Sequence, residues 1–162
     1  MRAFSKFLGF VALATLGLTV ALLPQNANSQ SAANSQQNAK PTEPVPAFHD
    51  SAPTGDLPET LSPSLFPDAL AQNAYTLAAR IKKVLYQQPC YCHCDQSQGH
   101  GSLLDCYTGH HAAVCGTCER ELFYSYEQTQ KGKTPAQIRE GIVHGDWEKL
   151  DVTKYQSPLP AK

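Results

Sequence analysis

The sequence has little positive charge: Lys and Arg total 13 of 162 residues and form no run longer than the Lys82-Lys83 pair. Neutralising phosphates supplies most of the affinity for nucleic acid, so no nucleic-acid partner is expected. No nucleophile elbow or similar frame surrounds a serine, which argues against a Ser/His/Asp hydrolase. No βαβ pattern flanks the single Cys-x-x-Cys, which argues against a thioredoxin domain. Glu119 follows that motif where covalent haem attachment needs His, and the cysteine spacings match no iron–sulfur pattern. The apolar inventory is modest, and small domains of this kind usually need disulfides or a metal as a staple.

What is present begins with a hydrophobic stretch. Arg2 and Lys6 precede an uncharged run over residues 7–23, Pro24 breaks it, and Ala27-Asn28-Ser29 offers small residues for cleavage. Residues 1–29 read as a secretory signal peptide, with an uncleaved membrane anchor as the competing reading. No cysteine follows the run, which excludes lipid attachment there. Removing residues 1–29 leaves 11 basic and 14 acidic groups, a net charge of −3. The protein is expected outside the cytoplasm, periplasmic or extracellular, where unpaired cysteines are unusual.

Residues 25–40 are almost wholly Gln, Asn, Ser and Ala, and residues 41–67 hold seven of the twelve prolines. Such composition cannot bury enough surface to offset backbone ordering, so residues 30–66 are expected to be a disordered tether. Order is expected from 67. Leu70, Ala74, Leu77, Ala78, Ile81, Val84 and Leu85 share one face at helical spacing, which predicts a helix over about 67–87, stopped by Pro89. Residues 90–109 read as an irregular compact loop in which Ser102 and Asp105 form a turn or cap. A second helix is predicted over about 111–130. A third starts at Thr134-Pro135-Ala136-Gln137, with Thr134 as N-cap and Gln137 completing a capping box. Residues 151–162 read as a loose tail. The fold class expected is therefore mainly α: about three helices around an irregular cysteine loop, in a domain spanning 67–150.

The chemistry lies between Cys90 and Cys118, where six thiols and four imidazoles occupy 29 positions. In an extended segment Cys90, Cys92 and Cys94 project from one face, with His93 pointing away. Neighbours two apart are poorly placed to pair with each other, since a disulfide brings Cβ atoms to about 3.8 Å. Pairing outward with Cys106, Cys115 and Cys118 remains open and allows about 15 connectivities. Metal coordination accounts better for the clustering, because thiolates bind zinc and select Cu(I). The expected ligands are Cys90, Cys92, Cys94, Cys106, Cys115 and Cys118, with His100, flanked by Gly99 and Gly101, as an optional seventh. Six thiols exceed one tetrahedral site, leaving open two metals or a metal plus a disulfide. Of His110 and His111, at most one is expected to face the site. Cys115-Gly116-Thr117-Cys118 opens the second helix, where the dipole is expected to lower a thiol pKa.

Pro89-Cys90-Tyr91-Cys92-His93-Cys94, followed by Gly99-His100, Ser102-Leu103 and Cys106, resembles the PCYCGC, or CYCXC, family of exported bacterial proteins. Cys115-x-x-Cys118, Lys131-Gly132 and Ile138-Arg139 fit the same pattern. The resemblance covers about 89–142. The family's function is not established, and some members carry selenocysteine in the motif. That implies a redox or metal-ligand role for at least one of Cys90, Cys92 and Cys94. Many members are lipoproteins, from which this chain departs, and His93 stands where the commonest motif has Gly. The function expected is an exported, non-enzymatic module binding copper or zinc for sequestration, delivery, sensing or structural support. Its expected partners are the metal ion and an exported or membrane protein. A thiol-disulfide oxidoreductase and a disulfide-stapled interaction domain are the alternatives.

Overall fold

The apolar stripe that begins at Leu70 does form a helix, with Asp68 as its N-cap: the Asp68 carboxylate accepts the Ala71 N–H at 2.8 Å. The structure, a computed structural model, describes residues 43–159. The signal-peptide or anchor segment 1–29 and the tether up to residue 42 lie outside the described residues. Among the described residues no helix is long and apolar enough to cross a membrane.

Helix α1 (Ala69–Arg80) leaves helical geometry at Ile81 and resumes as the short α2 (Lys82–Leu85). Two segments therefore replace the one continuous helix expected. Ala74, Leu77, Ala78, Ile81 and Leu85 are buried as the periodicity requires, while Arg80 and Lys83 are exposed. Gln88, just before the proline that ends the helical segment, is completely buried. It donates through Nε2 to the Val84 and Pro135 carbonyls, and its own carbonyl accepts the Leu103 N–H.

The cysteine segment contains α3 (Cys94–Gln98) and a 3-10 turn over Leu103–Tyr107. Asp105 organises that turn by accepting the Gly101 and Ser102 N–H groups at 2.7 and 3.1 Å. The second predicted helix begins later than expected. His111–Val114 is a 3-10 turn, Cys115 is extended, and α4 runs over Gly116–Gln130. The third matches its sequence signals: α5 is Pro135–Val143, capped by the Thr134/Gln137 box. The fold is mainly α, with no strand among the described residues.

Helix α4 is the centre of the molecule and packs on α1, α2 and α5. Leu122 and Phe123 meet Tyr75, Leu77, Leu85, Leu103, Leu104 and Tyr107 in one apolar cluster, all almost fully buried. Each such side chain contributes about 1.5–3 kcal/mol on removal from water. Tyr124 with Ile138 and Ile142 of α5 makes a smaller second cluster.

Two segments expected to be loose are packed. Residues 43–50 lie along the body as a strap: Pro46 is buried, Ala47 N–H donates to Asp95, and His49 stacks on Tyr86 at 3.8 Å. Arg139 reaches back to Asp50 at 3.2 Å and lies over the Phe48 ring. Leu61 N–H donates to the Tyr107 carbonyl, and Phe66 is buried against Tyr75. Among the described residues the packed body therefore extends back to Glu43 rather than starting at Pro67. At the other end, Tyr155 stacks on Phe123 at 3.8 Å, and the Asn73 amide donates to the Tyr155 and Ser157 carbonyls.

Candidate metal centre

Cys90, Cys92 and Cys94 converge by a turn rather than by an extended strand. The His93 N–H bonds to the Cys90 carbonyl, His93 takes a left-handed conformation (φ 56°, ψ 34°), and Cys94 opens α3. The reversal folds the run onto itself, which brings Cys90 and Cys92 Sγ to 3.3 Å. The Leu103–Tyr107 turn supplies Cys106, whose Sγ is 3.3 Å from that of Cys94. Helix α4 supplies Cys118 from its first turn, 3.5 Å from Cys90 and 3.6 Å from Cys92. The turn before α4 supplies His111, with Nε2 3.4 Å from the Cys92 sulfur.

All six cysteines are free. Cys90, Cys94, Cys106 and Cys118 are buried, each at most 3% exposed, so the centre is part of the core rather than a surface patch. Cys92 and Cys115 are half-buried. Four thiolates around a tetrahedral ion at about 2.3 Å stand about 3.8 Å apart. The observed separations of 3.3–3.6 Å need only small outward shifts to accept one. Two four-donor groups satisfy mutual distances within 4.8 Å: Cys90, Cys92, Cys94 and Cys106, and Cys92, Cys106, His111 and Cys118.

His100 and Cys115 stand outside both groups. His100 lies beside the centre, with Nδ1 3.4 Å from the Cys106 sulfur, and the positive φ of its neighbour Gly99 closes α3. Cys115 immediately precedes α4, at the half-exposed edge. His110 is exposed and sits edge-on to Phe66, so of the adjacent pair only His111 faces the sulfurs.

The thiols share protons unequally. Cys92 is driven far below the usual thiol range by the neighbouring thiols, first Cys106 and then Cys115, Cys118 and Cys90. Cys90 and Cys118 are pushed up, in each case chiefly by Cys106. The lowering expected for the Cys-x-x-Cys pair at the helix start is not observed. Hydrogen bonding to Cys118 lowers Cys115, but the Cys92 interaction and burial outweigh it.

Glu121 is a site residue that sequence reasoning missed. It is completely buried one turn beyond Cys118, and its Oε1 accepts the Tyr91 N–H at 2.8 Å, which fixes the turn carrying Cys90 and Cys92. Burial pushes its carboxyl up to about 8. Its only sequence signal was an acid on the apolar side of α4. The strap supplies the rest of the enclosure: Pro46 and Ala47 close over Cys90, Cys94 and His100, and Glu43 lies 3.0 Å from the His93 ring.

A family model described as a protein of unknown function with PCYCGC motif matches residues 16–149. The chain belongs to that family. No curated protein and no solved structure matches it. In the PCYCGC motif the fifth position is Gly, and in this chain it is His93. Among the described residues His93 is the only non-glycine with positive φ. The motif's glycine thus falls where the backbone is left-handed, the conformation glycine adopts without steric cost.

Proposed function

We propose that this protein is an exported metal-binding module that holds copper or zinc through buried thiolates and serves to sequester or deliver the ion. The observation that carries the reading is the convergence of five unpaired sulfurs, four of them buried in the core, and one imidazole from four separate segments. Burying that many thiols without pairing them wastes their cross-linking capacity in a small domain. A metal bound by folded but not unfolded chain stabilises the fold by its binding energy. The hydrophobic run and the Gln/Asn/Ser-rich stretch after it support export and tethering. The open edge at Cys92, His111 and Cys115 supports exchange of the ion with a partner.

The test is to prepare the exported protein without added metal and measure bound metals together with reactive thiols. A stoichiometric soft metal is expected, with thiols that react only after a chelator is added. A metal-free protein with three closed disulfides would overturn the reading in favour of a stapled interaction domain. A metal-free protein with one readily cycled pair would overturn it in favour of a thiol oxidoreductase.

A further inference from the structure

The two four-donor groups are not alternatives drawn from separate places, because both contain Cys92 and Cys106. Two tetrahedra that share two corners share an edge, and that is the geometry of two metal ions bridged by a pair of thiolates. Cys90 and Cys94 complete one tetrahedron, and Cys118 and His111 complete the other. Cys90 and Cys118, one from each set, stand 3.5 Å apart, closer than terminal donors on two different ions, so filling both positions moves these two sulfurs apart. We propose that the centre holds two dications of the zinc class, bridged by Cys92 and Cys106. This deepens the metal-binding reading above and rests on it.

Charge favours two ions over one. A single dication in the all-sulfur set carries a net charge of −2 while the fifth thiol keeps its proton, and two dications on all five thiolates reduce the net charge to −1. Among the buried described residues there is no Lys or Arg to offset the excess, and an uncompensated buried charge is expensive. Each bound thiol releases its proton to solvent.

The imidazole side has its own support. As placed, Gln98 Nε2 lies 2.7 Å from His111 Nδ1, so the ring proton sits on Nε2 and faces Cys92. An ion at Nε2 displaces that proton, the ring then carries one on Nδ1, and Gln98 turns its amide oxygen to accept it. A metal-binding histidine generally donates its other N–H to such a partner. The two ions are also unequal. The strap covers the Cys90/Cys94 side, whereas His111 and the half-exposed Cys92 lie on the open side.

The full-length reduced protein, titrated anaerobically with zinc and freed of excess, is expected to retain two ions per chain by elemental analysis. Retention of one would overturn the two-ion proposal and leave the proposed function standing; retention of none would overturn the two-ion proposal and restrict the proposed function to copper. His111→Ala and Cys94→Ser are each expected to reduce two ions to one while helical circular dichroism is unchanged. Loss of neither ion in both folded variants would overturn the assignment of terminal ligands. Should a cysteine variant fail to fold, cobalt substitution of the unaltered protein tests the bridge directly. Bridging sulfur couples the two spins, so the paramagnetic signal per cobalt is expected to fall as the second equivalent enters. A signal that grows in proportion through two equivalents would show unbridged sites and overturn the proposal.

Discussion

His93 shows how a single backbone conformation governs the centre. A side chain in the left-handed region costs about 1–2 kcal/mol, yet the reversal there is what stacks Cys90 and Cys92 and starts α3 at Cys94. His93→Val, which places a β-branched residue in that region, is expected to lower stability by about 1–2 kcal/mol. His93→Gly is expected to hold or raise stability and to keep the same metal stoichiometry. Urea unfolding of the two variants beside the parent protein checks both, and a Val variant as stable as the parent would refute the role given to this turn. At this scale the cysteines were legible in the sequence, and so was their number in excess of one tetrahedral site. The partition among them was not. His111 entered the second donor set while His100 stayed beside it, because that choice depends on the turn before α4, which brings a residue 19 positions from Cys92 within reach of it.

Among elements, α4 and α5 meet at an unusually close point. A methyl group on Gly141 would collide with the Tyr124 ring and hydroxyl, and Tyr124 is itself buried against Ile138 and Ile142. Helix propensity alone favours Ala over Gly by about 1 kcal/mol. The expected outcome of Gly141→Ala is the opposite sign, a loss of about 1–3 kcal/mol through overpacking, measurable as a lower melting temperature. A stabilised variant would mean that Tyr124 swings aside freely. The helices themselves were read well where local signals exist. The Thr134/Gln137 capping box carries its own hydrogen bonds. The interruption at Ile81 and the late start of α4 were not readable, since the apolar period continues through both while the backbone answers to packing around the sulfurs.

At the scale of the whole molecule, the strap and the tail close a body that composition had placed within 67–150. Proline-rich and polar stretches read as loose because few of their residues are apolar, but Pro46, Phe66 and Tyr155 each find a socket made by distant residues. One buried aromatic in a dozen residues leaves no periodic trace. If the strap seals the inner half of the centre, weakening it should expose the ion to competitors. Asp95→Ala removes the acceptor for the Ala47 N–H. It is expected to speed zinc loss to a chelator severalfold without changing the number of ions held. An unchanged release rate would mean that the strap takes no part in retention.

The order of the donors along the chain has a consequence for biogenesis. A polypeptide emerging N-terminus first presents the strap before any ligand, then completes the all-sulfur set once Cys106 is out. The set that needs His111 and Cys118 is finished only 12 residues later. All four ligands of the more enclosed position are therefore synthesised before those of the open one are complete, but Glu121, which fixes the turn carrying Cys90 and Cys92, comes last of all, so the centre takes its shape only when α4 is made.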